Sequence, residues 1–264
     1  MESPIKPPKK GAAPEADAET PVDANLEPTH EGSNLPSMRS NAVLGAVTGE
    51  TTQSDVKIPY LQIAYGVGKL SKDFNPGDLV LGGEHLLVHK REKLVVIVLT
   101  AQKFYKERLS KQELDSGLRP RSYTTELEVI KNGGTTEWKD GPNKTRIGPS
   151  FGPAMDMKLL IRKPDALDQG VFGLELDGAF YAPCYFSVDK SGYNRVGKEI
   201  VSAGGLALAK VGLLAGLWEL TTDIEEINEN QTVVPRIKLV GRTTEQFRKE
   251  VMERFAPQTA PTPN

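Results

Sequence analysis

The segment Gly178–Thr222 constrains the fold more than any other part of the chain. Phe180–Val188 is aromatic and β-branched enough to predict a strand, and Leu217–Thr222 predicts a second one. Between them, apolar residues recur every three or four positions, which indicates one face of a helix: Val196, Ile200, Ala203, Ala207 and Val211. Such a helix can lie against a sheet or close the end of a barrel. The segment carries no catalytic signature.

Apolar patterns elsewhere predict more strands and a final helix. Leu94–Leu99 reads LVVIVL, an unbroken apolar run that is typical of a strand buried on both faces. Thr243 or Thr244 can cap a helix over Glu245–Phe255, whose apolar residues recur every four positions. Further strands are predicted at Ile58–Tyr65, Leu79–Gly82, Met155–Arg162 and Val233–Val240. We therefore expect a mainly β domain with one internal helix and a C-terminal helix.

Residues 109–150 interrupt this pattern and are expected to form an insertion. Asn132-Gly133-Gly134 has the chemistry of a tight turn and lies between Glu126–Ile130 and Thr135–Trp138. A protruding β-hairpin is the predicted structure of this insertion.

The first 55 residues differ in composition from the rest. They are rich in Pro, Ala, Glu, Asp, Ser and Thr and contain no aromatic residue. Because such a segment cannot bury enough apolar surface to offset its ordering entropy, we predict a disordered arm over residues 1–55. The arm has nine acidic and four basic side chains, a net charge of -5, which leaves +3 for the remainder given the total of -2. Residues 56–256 are expected to form the ordered domain, and residues 257–264 a disordered tail.

Cysteine usage and hydropathy limit the setting in which the protein works. Cys184 is the only cysteine, so an intrachain disulfide and a zinc site built on thiolates are both excluded. The N-terminus lacks the pattern of a signal peptide, and the longest nearly uncharged apolar run, Val211–Trp218, is too short to cross a bilayer. We expect a cytoplasmic protein without a membrane partner.

No motif in the chain predicts catalysis, a metal or a cofactor. Gly66-Val67-Gly68-Lys69 lacks the spacer and the following Ser or Thr of a phosphate-binding loop. His85 and His89 fall in a predicted strand, where side chains four residues apart lie about 13 Å from each other. The sequence therefore predicts a protein that is not an enzyme and needs no cofactor.

Aromatic residues interleaved with cations follow the predicted core strand. Phe104 and Tyr105 are flanked by Lys103, Lys106 and Arg108, an arrangement that suits a surface where bases stack and phosphates are neutralised. Because neighbouring strand residues face opposite sides, only one ring can be exposed. We expect Tyr105 to be the exposed ring, on the face of Lys103, and Phe104 to pack in the core.

Other aromatic and basic residues extend this candidate surface. Tyr181 and Tyr185 are expected on the strand face opposite Phe180 and Phe186, and the linker after that strand is basic. The candidate nucleic-acid contacts are Lys103, Tyr105, Lys106, Arg108, Tyr181, Tyr185, Lys190, Tyr193, Arg195, Lys198, Arg236 and Lys238.

The order of these elements resembles the single-stranded DNA-binding proteins of tailed phages. The resemblance rests on an I-P-x-L-x-I strand from Ile58, a P-G-D turn at Pro76, the W-E-L-T-T strand from Trp218 and the V-P-R-I-K-L strand from Val234. It covers roughly residues 58–255 and implies an OB-like β-barrel, here with an inserted hairpin.

The resemblance and the residue pattern together predict a single-stranded DNA-binding protein of phage or mobile-element replication or recombination. Its expected partners are single-stranded DNA, replication or recombination proteins and a second copy of the chain. The alternative is a β-rich virion structural or assembly protein, for which apolar strands and polar ends are equally natural. The acidic arm can also compete with a polyanion for a basic surface.

Overall fold

Runs of β-branched and aromatic residues form antiparallel strands, which are the commonest secondary structure among the described residues. The computed structural model describes residues 57–141, 145–227 and 230–255. The predicted arm over residues 1–55 and tail over residues 257–264 lie outside this range. The described residues confirm a mainly β fold that ends in a helix.

The strands form a small sheet, a large sheet and a short hairpin. The small sheet contains β1 (Leu61–Ile63), β2 (Leu79–Leu81) and β3 (His85–Val88), in that order. The large sheet is made of β4 (Leu94–Glu107), β5 (Ser122–Tyr123), β8 (Phe151–Arg162), β9 (Leu174–Leu176), β10 (Ala179–Asp189), β11 (Gly216–Ile227) and β12 (Asn230–Arg242). Its order is β12-β11-β4-β8-β10-β9, and β5 pairs with the end of β4. The hairpin pairs β6 (Lys139–Asp140) with β7 (Arg146–Ile147).

Helices occupy the insertion, the segment after β10 and the C-terminus. They are α1 (Lys111–Asp115), α2 (Glu126–Lys131), α3 (Lys190–Gly192), α4 (Lys198–Gly205) and α5 (Glu245–Phe255), with a π-helical turn at Tyr193–Gly197 and 3₁₀ turns at Lys69–Lys72 and Leu213–Ala215. Among the described residues, no helix has the length and apolarity that crossing a membrane requires.

One hydrophobic cluster joins the two sheets. Leu79 and Leu81 of the small sheet belong to the same buried cluster as Val96, Leu159 and Trp218 of the large sheet. The helical segment contributes the buried side chains Tyr193, Val196, Ile200 and Ala203 to this cluster. We call it the main core.

A second buried cluster lies under α5. Phe247 and Val251 pack there with Ile97, Leu160 and Tyr181 of the large sheet. Since neighbouring residues of a strand face opposite sides, Ile97 and Leu160 lie on the face of the sheet that points away from the main core.

The internal helix is shorter than its apolar periodicity predicts. α4 ends at Gly205, and Ala207 and Val211 are exposed instead of continuing the buried face. Paired glycines at Gly204 and Gly205 weaken helix propensity, which accounts for the early end. The basic stretch that we expected to be a linker is itself helical from Lys190 onward.

The predicted hairpin at Glu126–Trp138 is wrong. Glu126–Lys131 forms α2, because Thr125 and Glu128 make a reciprocal capping box that satisfies the first backbone N–H groups of a helix. Asn132 caps the end of α2, so the Asn-Gly-Gly sequence ends a helix instead of joining two strands.

Two backbone contacts join the sheets outside their own strand pairs. The N–H of Tyr185 on β10 donates to the carbonyl of Pro59, before β1, at 3.0 Å. After β3, the N–H of Arg91 donates to the carbonyl of Thr222 on β11, also at 3.0 Å. The buried hydroxyl of Thr222 donates to the carbonyl of Gly77.

Candidate nucleic-acid interface

Strands β4, β8 and β10 leave part of one face of the large sheet outside the cover of α5. α5 covers this face where Ile97, Leu160 and Tyr181 lie. Beyond that point the strand register places further side chains of β4, β8 and β10 on the same face, in rows that run across the three strands. The rows are Thr100, Lys158 and Tyr185; Gln102, Asp156 and Ser187; and Phe104, Ala154 and Asp189. Lys106 follows on β4, beside Gly152 of β8. We call these residues the open face.

An aromatic pair with a lysine lies at one end of the open face. The ring centroids of Tyr60 and Tyr185 are 5.5 Å apart, and Nζ of Lys158 lies 5.8 Å from the centroid of Tyr185. Burial lowers the pKa of Lys158, whereas burial and then the neighbouring Tyr60 raise the pKa of Tyr185. Tyr60 remains 39% exposed, so a flat ligand can reach this pair.

Three predicted cations gather at the opposite end of the open face. Lys106, Arg108 and Lys190 line one shallow depression together with Asp189 and Glu107. Nζ of Lys106 lies 3.5 Å from the carboxylate of Asp189. A Cβ atom on Gly152 would lie 2.6 Å from Nε of Arg108, so the missing side chain makes room for the guanidinium against the sheet.

Arg121 neutralises the carboxylate of Glu107, so this carboxylate does not repel an anion in the depression. Arg121 donates to Glu107 from its side chain at 2.6 and 3.0 Å, and its backbone N–H donates at 3.0 Å. The side-chain hydrogen bonds from Arg121 are the main reason why the pKa of Glu107 lies below its ordinary value. The charge of the depression is therefore more positive than a count of its acidic and basic side chains indicates.

A pocket of about 260 Å³ adjoins this depression. Its walls include Tyr65, Ser191, Thr232, Val233 and Pro235, and it shares Asp189 and Lys190 with the depression. Lys190 has a φ of 48°, a left-handed conformation that is uncommon for a residue other than glycine.

Tyr105 lies on the other side of the sheet, although it shares a face with Lys103 as predicted. Ala101 on that face packs against the main core, and Nζ of Lys103 lies 5.1 Å from the Tyr105 ring centroid. Burial lowers the pKa of Lys103, but the nearby hydroxyls of Tyr105 and Tyr193 together outweigh it, so the pKa is raised. Phe104, which we expected in the core, is only half-buried and lies on the open face.

Two predicted contact residues are buried. Tyr181 is 6% exposed, because α5 covers it and its ring packs 5.3 Å from that of Phe247. Tyr193 is 5% exposed and belongs to the main core. Neither ring can stack on a base, so both predictions are corrected.

Four predicted cations lie away from the open face. Arg195 and Arg236 both pair with the carboxylate of Glu225, and this pairing reduces their attraction for phosphate. Lys238 lies on β12 in register with Glu219, and Lys198 is exposed at the start of α4.

The structure adds residues that the sequence did not single out as contacts. Tyr60, Phe104 and Lys158 belong to or border the open face, and Tyr65 lines the pocket. A lone lysine within the apolar strand MDMKLLIR was the available signal for Lys158, because a cation in a buried strand must point toward solvent or a partner.

A scan against protein-family models and searches of curated proteins and of solved structures found no match to this chain. Among the described residues, no group of three or more His, Cys, Asp or Glu side chains could hold a metal ion.

Proposed function

We propose that the protein binds single-stranded DNA with its open face and is not an enzyme. The observation that carries this proposal is that rings and cations follow one sheet surface: Tyr60, Tyr185 and Lys158 at one end, Phe104 in between, and Lys106 and Arg108 at the other. Two carboxylates share this face, and both have partners: Asp156 accepts a hydrogen bond from Ser187, and Asp189 pairs with Lys106. Bases stack on aromatic rings without regard to sequence, and Lys and Arg neutralise the backbone phosphates.

The length of the open face suits an extended single strand of DNA. From Thr100 to Lys106, β4 rises by about 20 Å at the usual rise per residue. Stacking of one base on one ring contributes about 1–3 kcal/mol, so two or three rings supply affinity without base-specific hydrogen bonds.

We also propose that the two sheets form an OB-like barrel of the kind found in single-stranded DNA-binding proteins of tailed phages. The hydrogen bonds from Tyr185 to Pro59 and from Arg91 to Thr222 support this proposal, because they tie the small sheet to two different strands of the large one. A role in phage or mobile-element replication or recombination follows from the same resemblance.

A binding titration with a matched pair of variants tests the function. Fluorescence anisotropy of labelled oligo-dT should show binding at low salt that weakens as salt rises, because phosphate contacts release counterions. Lys106→Gln should weaken binding and reduce the slope of log K against log salt by about 0.7, the value for one phosphate contact on a single strand. Lys238→Gln removes an exposed cation outside the open face and should change neither quantity.

Two results would overturn the proposal. Undetectable binding of oligo-dT by the unaltered protein at low salt excludes the function. Equal losses in Lys106→Gln and Lys238→Gln exclude the open face as the binding surface.

Exposed apolar residues in the insertion favour assembly with other proteins as a second candidate function. Among the described residues of the insertion, six large apolar side chains are about half exposed or more: Leu114, Leu118, Leu127, Ile130, Trp138 and Ile147. Exposed apolar surface marks contact sites between proteins. Large defined assemblies without DNA, detected by mass measurement in solution, would favour this virion or assembly function over DNA binding.

A further inference from the structure

The pocket beside the open face has the chemistry of a small ligand site. Ile63, Val188, Val233 and Pro235 supply apolar walls, and Tyr65 supplies an aromatic one. Ser191, Thr232 and Asp189, which carry polar side chains, also line the pocket. Apolar walls with a small number of placed polar groups are typical of ligand pockets, and about 260 Å³ is slightly below the usual range for drug-sized ligands, about 300–1,000 Å³. The volume therefore suits a group of the size of one base.

The adjoining depression supplies the charge that a phosphate needs. Lys106, Arg108 and Lys190 border it, and Arg121 already neutralises Glu107. Lys190 belongs to both the depression and the pocket, so a ligand that extends from one into the other would meet its side chain. Lys190 holds a left-handed backbone, and such uncommon conformations cluster at ligand sites.

We propose that the pocket takes up the base of one nucleotide while its phosphate binds Lys106, Arg108 and Lys190. Asp189 accepts hydrogen bonds and cannot donate them when ionised. It therefore favours bases with an exocyclic amino group, such as cytosine, over thymine. This inference rests on the proposed function, because it takes nucleic acid as the ligand. Stacking alone gives binding that does not depend on base sequence. The pocket would add a preference for certain bases.

Titration of the full chain with free mononucleotides tests the pocket apart from the open face. By calorimetry or NMR, dCMP should bind about tenfold more tightly than dTMP, a ratio within the range for one correct base contact. Inorganic phosphate alone should bind more weakly than either. Asp189→Asn should abolish the preference for dCMP, because an amide can both donate and accept.

Lys190→Gly removes the ammonium group at a position where glycine is conformationally at ease. It should weaken binding of both mononucleotides severalfold without loss of thermal stability. Lys198→Gln, which changes an exposed cation on α4, serves as the matched control and should leave mononucleotide binding unchanged.

The outcomes separate this inference from the proposed function. If oligo-dT binds but dCMP does not bind at millimolar concentration, the pocket inference is wrong and the open face stands. If inorganic phosphate binds as tightly as dCMP, only the depression is a site and the base pocket is excluded. If neither oligo-dT nor dCMP binds, both proposals fail.

Discussion

A single extra residue in β4 decides on which face of the sheet each of two adjacent, half-buried aromatic rings lies. Val96 and Val98 face the main core, and a strict period of two from them would turn Phe104 inward. The register shifts between Val98, opposite Leu159, and Thr100, opposite Lys158. This β-bulge reverses the alternation, so that Tyr105 takes the core side and Phe104 the open face.

Phe104→Ala should therefore weaken binding of single-stranded DNA by about 1–3 kcal/mol, the usual contribution of one stacking ring. The loss of folding stability should be smaller than for a core phenylalanine, because the Phe104 ring is half-buried and lies outside both buried clusters. Anisotropy titration and chemical denaturation of the same variant measure the two effects.

Tyr181→Ala is the matched control for Phe104→Ala, since Tyr181 is an aromatic residue of the same sheet that packs under α5. It should lower the free energy of unfolding by about 3–5 kcal/mol, as for other buried aromatic side chains. Its DNA affinity, measured where the variant is folded, should match that of the unaltered protein. A larger loss of affinity in Tyr181→Ala than in Phe104→Ala would place the binding surface elsewhere.

At the scale of elements, the helical segment that follows β10 contains a close contact between a glycine and an aromatic ring. A Cβ atom on Gly197 would lie 2.5 Å from Cδ2 of Tyr193, within the π-helical turn. Because the Tyr193 ring is enclosed in the main core, it cannot move aside without disturbing its neighbours. The π-helical turn thus packs the ring of Tyr193 directly against Gly197.

Gly197→Ala should lower the free energy of unfolding by about 1–3 kcal/mol, the usual cost of overpacking a core. Gly205→Ala is its control, because a Cβ atom at the end of α4 meets nothing within 4 Å. The control should be neutral or slightly stabilising, since alanine restricts the unfolded chain more than glycine does. Chemical denaturation of both variants checks the difference, and equal effects would contradict the packing argument.

The ion pair between Glu107 and Arg121 joins the insertion to β4 next to the pairing of β4 with β5. The pKa of Glu107 is lower in the folded protein than its ordinary value of 4.5, chiefly because Arg121 donates side-chain hydrogen bonds to it. The stability that this pair contributes is therefore complete above about pH 4.5 and is lost as the pH falls through the lower, folded pKa.

Glu107→Gln and Arg121→Gln should each flatten the loss of stability on acidification below about pH 4.5. Denaturation at a series of pH values from 7 to about 2 measures the curves, and the double variant should resemble the single ones, because either change removes the same pair. An acid profile unchanged by both substitutions would show that this pair does not contribute.

At the scale of the whole molecule, charge is divided between the arm and the domain. The net charge of residues 1–55 is -5 and that of the remainder is +3, as the sequence analysis established. The arm lies outside the described residues, whereas the cations of the depression at Lys106, Arg108 and Lys190 belong to the domain. We predict that the arm competes with DNA for these cations, because tethering raises its local concentration to the millimolar range.

Deleting residues 1–50 should tighten binding of single-stranded DNA, most clearly at low salt, where the arm and the DNA compete most strongly for the cations. Replacing the acidic residues of the arm with their amides in the full chain should produce the same gain without shortening it. Unchanged affinity in both proteins would reduce the arm to a solubilising segment or a tether for partners.

Local patterns in the sequence determined the class of fold and most of its elements. The predicted strand Phe180–Val188 differs by one residue at each end from β10, and the predicted helix Glu245–Phe255 coincides with α5. These elements are predictable because apolar periodicity and capping depend on neighbours within a few residues. Thr125 and Glu128 have the spacing of a capping box, a sequence signal for a helix start that the hairpin prediction from Asn132-Gly133-Gly134 did not use.

Tertiary structure alone decided which predicted contacts remain available to a ligand. Burial of Tyr181 requires α5, which lies far away in sequence, and Arg195 and Arg236 share the carboxylate of Glu225 on a third element. The bulge in β4 likewise appears only when β4 pairs with β8. Burial, ion pairing and register are properties of contacts between distant segments, so no window of the sequence contains them.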